Sequence, residues 1–209
     1  MMYSNFHIVD NPLVKHYLFH LRDATTKPPL FRTLTKKITY LLCADAARHM
    51  ETVNRKVTTP MEETNGYVIE SEIILIPILR AGLGMIEAIL DLFPNVNVGY
   101  IGQKRDEETA VASGYYCKLP NLKDKPVFIV DPMLATGGSL DNTIETVKNG
   151  KPKKIIVICI VSSPEGVNFL TKKHPDIEIY SASLDRQLND KKYIMPGLGD
   201  FGDRLYGTD

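Results

Sequence analysis

The sequence predicts an α/β protein in which a mostly parallel sheet is flanked by helices, with N-terminal helices ahead of the sheet and a projecting β-hairpin arm. Three observations predict this. Ile73–Leu79, Val127–Val130 and Ile155–Val161 are short, continuous apolar runs rich in β-branched residues, the mark of strands covered on both faces. Each is followed by a segment with helical character, near Leu83–Phe93, Gly138–Lys148 and Pro164–Lys173, giving the strand–helix rhythm of a parallel sheet. Two of the runs end in a charged residue, Arg80 or Asp131, followed by small residues, and open α/β sheets present their ligand loops at such strand ends.

The elements follow in order. Asn11-Pro12 opens a helix to about Arg22, with proline at its first position. A second helix starts after Pro28-Pro29 and runs through FRTLTKKITYLLCADAARHM, so residues 1–50 hold helices that pack beside the sheet and contribute to a subunit interface. VTTPMEETNGYVIE reads as extended chain with a hairpin turn at Asn65-Gly66. Asn97–Gln103 and Ala112–Lys118 alternate around the charged tip KRDEETA, which predicts the hairpin arm over 97–118. Ile177–Ala182 is a further strand. The closing segment 193–209 begins YIMPGLGDFGDRLYG, a glycine-rich, aromatic and acidic stretch too distinctive for a frayed tail.

A chain of 209 residues predicts one domain, 1–209. Its composition, 44% apolar and 24% charged, is that of a soluble globular protein. A formal net charge of zero argues against a generalised nucleic-acid or anionic-membrane surface. No apolar run approaches the ~18 residues of a membrane span. MMYSNFHIVDNP lacks the basic and apolar regions of a signal peptide. Cys43, Cys117 and Cys159 are far apart with no C-x-x-C, so Cys43 and Cys159 read as buried thiols and a reducing cytoplasm is expected. His16 and His20 have an i, i+4 spacing, but HYLFH lacks the glutamate of a zinc helix, and they read as a surface or packed pair.

The chemistry concentrates in VFIVDPMLATGGS. Gly137 and Gly138 remove Cβ atoms so that backbone N–H groups can approach an anion, and Thr136 and Ser139 add hydroxyl donors. The helix running on from Gly138 turns its positive end to the same place. Asp131, at the strand end, would accept from sugar hydroxyls or work through a bound cation. The loop is neither G-x-x-x-x-G-K-[ST] nor G-x-G-x-x-G. ILIPILRAGLGM repeats the logic: a buried strand stops at Arg80, whose fork of donors suits a pyrophosphate, and Ala81, Gly82 and Gly84 follow. Lys104, Arg105 and Asp106 lie at the tip of the arm, while Glu107 and Glu108 read as solvated. The Asp-Phe-Gly at 200–202 stands without any of the accompanying protein-kinase motifs.

DPMLATGGS resembles the ribose 5-phosphate loop of the phosphoribosyltransferases. Most members carry two adjacent acids there. Pro132 in place of the second resembles the uracil phosphoribosyltransferase version, as do PILRAG and YIMPGLGDFG. The resemblance covers almost the whole chain. It implies a phosphoribosyltransferase-like fold and the reaction of uracil with 5-phosphoribosyl 1-pyrophosphate to give UMP and pyrophosphate. It implies Mg2+ carried by the pyrophosphate, with no protein metal ligand assigned. By resemblance the donor is bound by Arg80, Arg105, Asp131, Pro132, Met133, Leu134, Ala135, Thr136, Gly137, Gly138, Ser139 and Asp200. Uracil is bound by Ile194, Gly199, Asp200 and Phe201, largely through main chain. Arg105 and Asp200 are the catalytic candidates, Asp200 either supporting positive charge on the sugar or helping to deprotonate the base. Family members are generally homodimers or larger, and several are activated by GTP; neither property is visible in these residues. Two alternatives stay open: transfer to another nucleobase such as a purine, which would need a different base-reading segment, and an RNA-binding pyrimidine regulator on the same fold, which carries paired acids where this chain has Asp131-Pro132.

Overall fold

The computed structural model describes residues 3–105 and 112–208. In chain order its elements are β1 (Phe6–Ile8), α1 (Pro12–Arg22), α2 (Pro28–Ala46), β2 (Val53–Thr58), β3 (Glu63–Val68), β4 (Ile74–Leu79), α3 (Leu83–Leu92), β5 (Asn97–Val98), β6 (Tyr100–Arg105), β7 (Ala112–Lys118), β8 (Pro126–Val130), β9 (Met133–Leu134), α4 (Gly138–Lys148), β10 (Lys154–Ser162), α5 (Pro164–Lys173), β11 (Glu178–Leu184), β12 (Gln187–Leu188), β13 (Ile194–Met195) and α6 (Phe201–Tyr206). Among the described residues the main sheet has nine strands, with β1-β11-β10-β8-β4-β6-β7 as its path. Pairing is parallel from β1 to β6, and β7 returns antiparallel to complete the arm. None of the described helices is long and apolar enough to cross a membrane.

The continuous apolar runs are explained by two cores, one on each face of the sheet. Successive residues of a strand face opposite ways. Along β8, Phe128 and Val130 meet Phe31, Leu34, Ile38 and Leu42 of α2 and Met85 and Ile89 of α3. Val127 and Ile129 meet Leu140, Ile144 and Val147 of α4 and Val167 and Leu170 of α5. The spacing of the α2 residues is the stripe of a helix with one face buried. Helix starts follow local chemistry. Asn11 Oδ1 accepts the Leu13 N–H at 2.8 Å with Pro12 at the first position of α1. Ser163 Oγ accepts the Gly166 N–H at 3.0 Å to cap α5.

Two sequence expectations change, and one strand is added. The β2–β3 hairpin turns at residues 59–62. Thr59 Oγ1 accepts the N–H groups of Met61 (3.1 Å) and Glu62 (3.0 Å), a local side-chain turn that supplants the Asn-Gly signal. Asn65 and Gly66 instead sit inside the ladder, opposite Lys56 and Arg55. The second helix ends at Ala46 and passes into a single 3-10 turn at Ala47–His49. Residues 6–8, to which the sequence reading assigned no element, form the edge strand β1 beside Ile179–Ser181 of β11. Cys43 and Cys159 are buried thiols, as read, and burial pushes Cys43 up to about 12.

Candidate active site

The sheet has a topological switch between β4 and β8. After β4 the chain crosses through α3 toward β6; after β8 it crosses through α4 toward β10, on the other face and in the other direction. Such a switch opens a crevice at the carboxyl ends of the two strands. Arg80 lies just beyond one strand end and Asp131 just beyond the other, and the strands are in register at Pro77 and Val130. The Leu79–Arg80 peptide is cis. Gly82 lets the turn after Arg80 close onto the sheet, since a Cβ there would come within 2.6 Å of Val130 O and 2.7 Å of Ile78 O.

The loop from Asp131 to Ser139 is fastened from behind. Pro132 O accepts the N–H groups of Ile160 (2.9 Å) and Val161 (3.0 Å), and Leu134 O accepts from Ser163 N–H (2.8 Å). Ser163 Oγ donates to Ala135 O at 2.6 Å. Pro132 and Leu134 are buried, so these two site candidates anchor the loop to β10. Thr136, Gly138 and Ser139 keep partial exposure at the start of α4. Gly137 has φ +87°, a left-handed conformation that favours glycine. Its missing Cβ faces α5, where one would meet Phe169 Cδ1 at 2.9 Å and Leu170 Cγ at 3.3 Å. Glycine is therefore required at 137 by backbone shape and the α5 contact, which corrects the reading that it clears room on the anion side.

Asp131 is half-buried. Among the described residues its carboxylate is given one hydrogen bond, from Met133 N–H at a long 3.4 Å. Burial therefore dominates and pushes its pKa up to about 7. Among the described residues the one close group of three metal-capable side chains lies elsewhere, at Asp141, Glu145 and His174, with ligand atoms within 4.8 Å. Lys173 already bonds Asp141 Oδ2 at 2.8 Å, His174 Nε2 meets Asp141 Oδ1 at 2.8 Å, and Lys148 Nζ lies 3.2 Å from His174 Nδ1. That cluster ties α4 to the end of α5. At the crevice, the Asp131 carboxylate would suit a hard cation such as Mg2+, which prefers oxygen ligands.

The C-terminal segment lies against Arg80. β13 pairs with β12, and the Met195–Pro196 peptide is cis. Ile194 and Phe201 are 4% and 2% exposed, with side chains in the core. Phe201 stacks edge-on against Phe31 at 5.0 Å between ring centroids. Only main-chain atoms of these two candidates can face a ligand. Asp200 Oδ1 accepts the Asp203 N–H at 3.0 Å and caps α6. Gly199 has φ +83°, and a Cβ would touch little besides Arg204 Cδ at 3.5 Å, so a side chain at 199 acts through backbone strain more than through contact with the protein. Tyr206 Oη donates to Arg80 O at 3.2 Å, and Asp203 Oδ1 lies 3.9 Å from Arg80 Nη2. The structure thus brings Arg80 and the segment from Asp200 to Tyr206 together, beside the strand that ends at Asp131.

Arg105 ends β6 opposite Ala112, but its side chain, with that of Lys104 and all of 106–111, lies outside the described residues. Sequence reasoning missed Asp203 and Tyr206, although the second acid in GDFGD was a pattern that could have drawn attention. It also missed Arg22, Asp185 and Arg204, which brace the C-terminal segment and belong to no recognised motif.

Arg80, the strand-end loop and the C-terminal segment thus meet at one switch point of a parallel sheet. The fold matches a hypoxanthine-guanine phosphoribosyltransferase from Bacillus anthracis with a TM-score of 0.51 over 76% of this chain and 80% of that one, at 14% identity. A far closer structural match, TM-score 0.93 at 38% identity, covers 96% of this chain and 97% of the AQ2163 protein from Aquifex aeolicus. The family model for uracil phosphoribosyltransferase matches residues 8–208. The uracil phosphoribosyltransferase of Fervidobacterium nodosum is 52% identical over 97% of this chain and 99% of its own length, and that of Thermosipho melanesiensis is 49% identical over 96% and 98%. The chain belongs to the uracil phosphoribosyltransferase family.

Proposed function

We propose that the chain joins uracil to the phosphoribosyl group of 5-phosphoribosyl 1-pyrophosphate, releasing pyrophosphate and forming UMP. The observation that carries this reading is the pairing of Arg80 with the Asp131–Ser139 loop across one switch-point crevice, in a chain of this family. The loop binds the ribose 5-phosphate through the N–H groups at the start of α4 and the hydroxyls of Thr136 and Ser139. Asp131 accepts from the sugar hydroxyls. Arg80 and Arg105 hold the pyrophosphate and stabilise the charge that grows on it as the bond to the anomeric carbon breaks. Mg2+, when bound, would supply further positive charge to the departing pyrophosphate. The base is read by main-chain groups at Ile194, Gly199 and Phe201, N1 of uracil bonds to the anomeric carbon, and its proton is lost. Asp200 supports the sugar's developing positive charge or takes the base proton; one of its carboxylate oxygens accepts the Asp203 N–H at the cap of α6, which leaves the other for that role among the described residues. Holding both reactants in one crevice converts a bimolecular encounter into a positioned reaction.

A homodimer or larger assembly is supported by the β2–β3 hairpin, whose Val57, Met61 and Tyr67 are 52%, 92% and 76% exposed. GTP activation rests on the family resemblance alone, and initial rates titrated with GTP test it. A cytoplasmic location is supported by the three free thiols, which suit a reducing compartment. Zero net charge disfavours a nucleic-acid partner. The test of the activity is direct: purified chain, donor, Mg2+ and uracil yield UMP and pyrophosphate in equal amounts, and no UMP above the enzyme-free control overturns the proposal.

A further inference from the structure

A loop that reads a base with its main chain works only if its peptides cannot turn over. Rotating a peptide exchanges the positions of its N–H and C=O, and that exchange is the difference between an edge fitted to uracil and one fitted to cytosine. The segment from Pro196 to Asp200 has neither helix nor strand to stop such rotation. Two guanidinium groups do so instead.

Arg22, the last residue of α1, donates from Nη1 to Gly197 O at 2.7 Å. It also grips Asp185 with both nitrogens, Nη1 to Oδ2 at 2.7 Å and Nη2 to Oδ1 at 2.5 Å. Asp185 Oδ2 accepts the Gly197 N–H at 2.8 Å, so both polar groups of Gly197 are bonded to the two halves of one ion pair. Ser183 Oγ donates to Asp185 Oδ1 at 2.7 Å and receives Arg22 Nη2 at 3.1 Å. The Asp185 side chain is only 2% exposed. Burial alone would raise its pKa, but the bonds from Arg22, Ser183 and Gly197 outweigh burial and hold it below the ordinary value. Arg204 fixes the next peptide. It donates from Nη1 to Leu198 O at 2.7 Å and Leu21 O at 2.5 Å, and from Nη2 to Asp23 O at 2.5 Å, with its guanidinium 4.6 Å from the Phe31 ring centre.

A peptide is planar, so a tethered carbonyl also fixes the direction of the N–H on the residue that follows. Arg22 thereby fixes the Leu198 N–H, and Arg204 fixes the Gly199 N–H. A buried ion pair contributes little net stability compared with apolar side chains of similar volume, and its best-attested use is to impose one geometry. We infer that Arg22 with Asp185, and Arg204, are positioning residues that set base specificity by locking the two successive peptides between Gly197 and Gly199. The inference rests on the proposed reading of this segment as the base site.

The experiment compares wild type with Arg22→Lys, Arg204→Lys and Ser183→Ala for melting temperature, KM for uracil, KM for the donor, and the ratio of kcat/KM between uracil and cytosine. Lysine keeps the charge and loses the fork. Either lysine variant is expected to raise the uracil KM by about tenfold and to reduce the uracil-to-cytosine ratio by at least about tenfold, with the donor KM within about twofold. Ser183→Ala keeps the ion pair and removes the two bonds that Ser183 Oγ makes to it, one given to Asp185 and one received from Arg22; it is expected to move the same two quantities by about threefold, and it carries the test if a lysine variant does not fold. A purely structural staple would lower the melting temperature and leave the uracil KM and the ratio unchanged. That result in folded variants overturns the inference while leaving the base-site reading standing. Wild type that does not use uracil overturns the underlying reading, and the inference with it.

Discussion

Asp131→Asn should stabilise the empty protein at neutral pH while removing donor binding. The carboxyl titrates at about 7 in the folded chain against an ordinary value of 3.8, because burial is opposed by one long hydrogen bond from Met133. Between those two pH values the folded chain holds a proton that the unfolded chain has released. Stability therefore falls as pH rises through this window, and the full loss is reached above about 7. At ~1.4 kcal/mol per pH unit the loss has an upper bound of about 4 kcal/mol. Solvent reaching this half-buried side chain trims the figure to about 2–3 kcal/mol. Asparagine has the same shape and no charge, so its advantage over aspartate should widen by about 2 kcal/mol between pH 5 and pH 8. Urea unfolding of ligand-free wild type and Asp131→Asn at the two pH values measures this. Sugar hydroxyls that bond the carboxylate stabilise its charged form, so donor binding to wild type near pH 6 should release a proton, and the variant should release none from this site. A stability gap that is flat with pH, or an asparagine variant less stable than wild type at pH 8, would refute the account of Asp131 as a carboxylate kept under-bonded for a ligand.

Further outcomes follow from the same geometry. Thr136→Ala should raise the KM for the donor by about tenfold with little change in KM for uracil, because it removes one hydroxyl donor from the phosphate loop. Arg80→Ala should lower kcat/KM by about 10²–10³ and weaken inhibition by pyrophosphate, and Arg80→Lys should restore only part of the loss; normal turnover in the alanine variant would remove Arg80 from the leaving-group site. Gly137→Val, at φ +87° and facing Phe169, should cost several kcal/mol in urea unfolding and nearly abolish activity by distorting the start of α4. Phe201→Ala should cost about 3–5 kcal/mol in the same assay, since the ring is 2% exposed and packs on Phe31.

Much of this fold can be read in the chain where punctuation is local. Asn11-Pro12, Gly137-Gly138 and Ser163-Pro164 mark helix starts, and α1, α4 and α5 begin where those residues predict. The runs that became β4, β8 and β10 are visible because both faces of a central parallel strand must be apolar. Distant pairings leave no such mark. β1 is three residues long and exists as a strand because residues 179–181 lie beside it. The β2–β3 turn was misplaced because Asn65-Gly66 is a strong turn dipeptide, while the side-chain bonds that actually close the turn come from Thr59. The site divides in the same way. Arg80 and Asp131 stand out because each ends an apolar strand before a run of small residues. Arg22 and Asp185 are 163 residues apart, and neither lies in a pattern that names a partner. Their joint hold on Gly197 is a property of three dimensions.

The most direct measurement of the central claim is the choice of base. Uracil offers O2 and O4 as acceptors and N3–H as a donor; cytosine places a donor where O4 was and an acceptor at N3. A main-chain edge fitted to uracil would face cytosine donor to donor and acceptor to acceptor, at about 1–3 kcal/mol for each mispaired buried group. With donor and Mg2+ saturating, kcat/KM should favour uracil over cytosine by at least about 10⁴, and 5-fluorouracil, which leaves that edge intact, should be used. Comparable kcat/KM for uracil and cytosine, or a preference for hypoxanthine or adenine, would contradict the account.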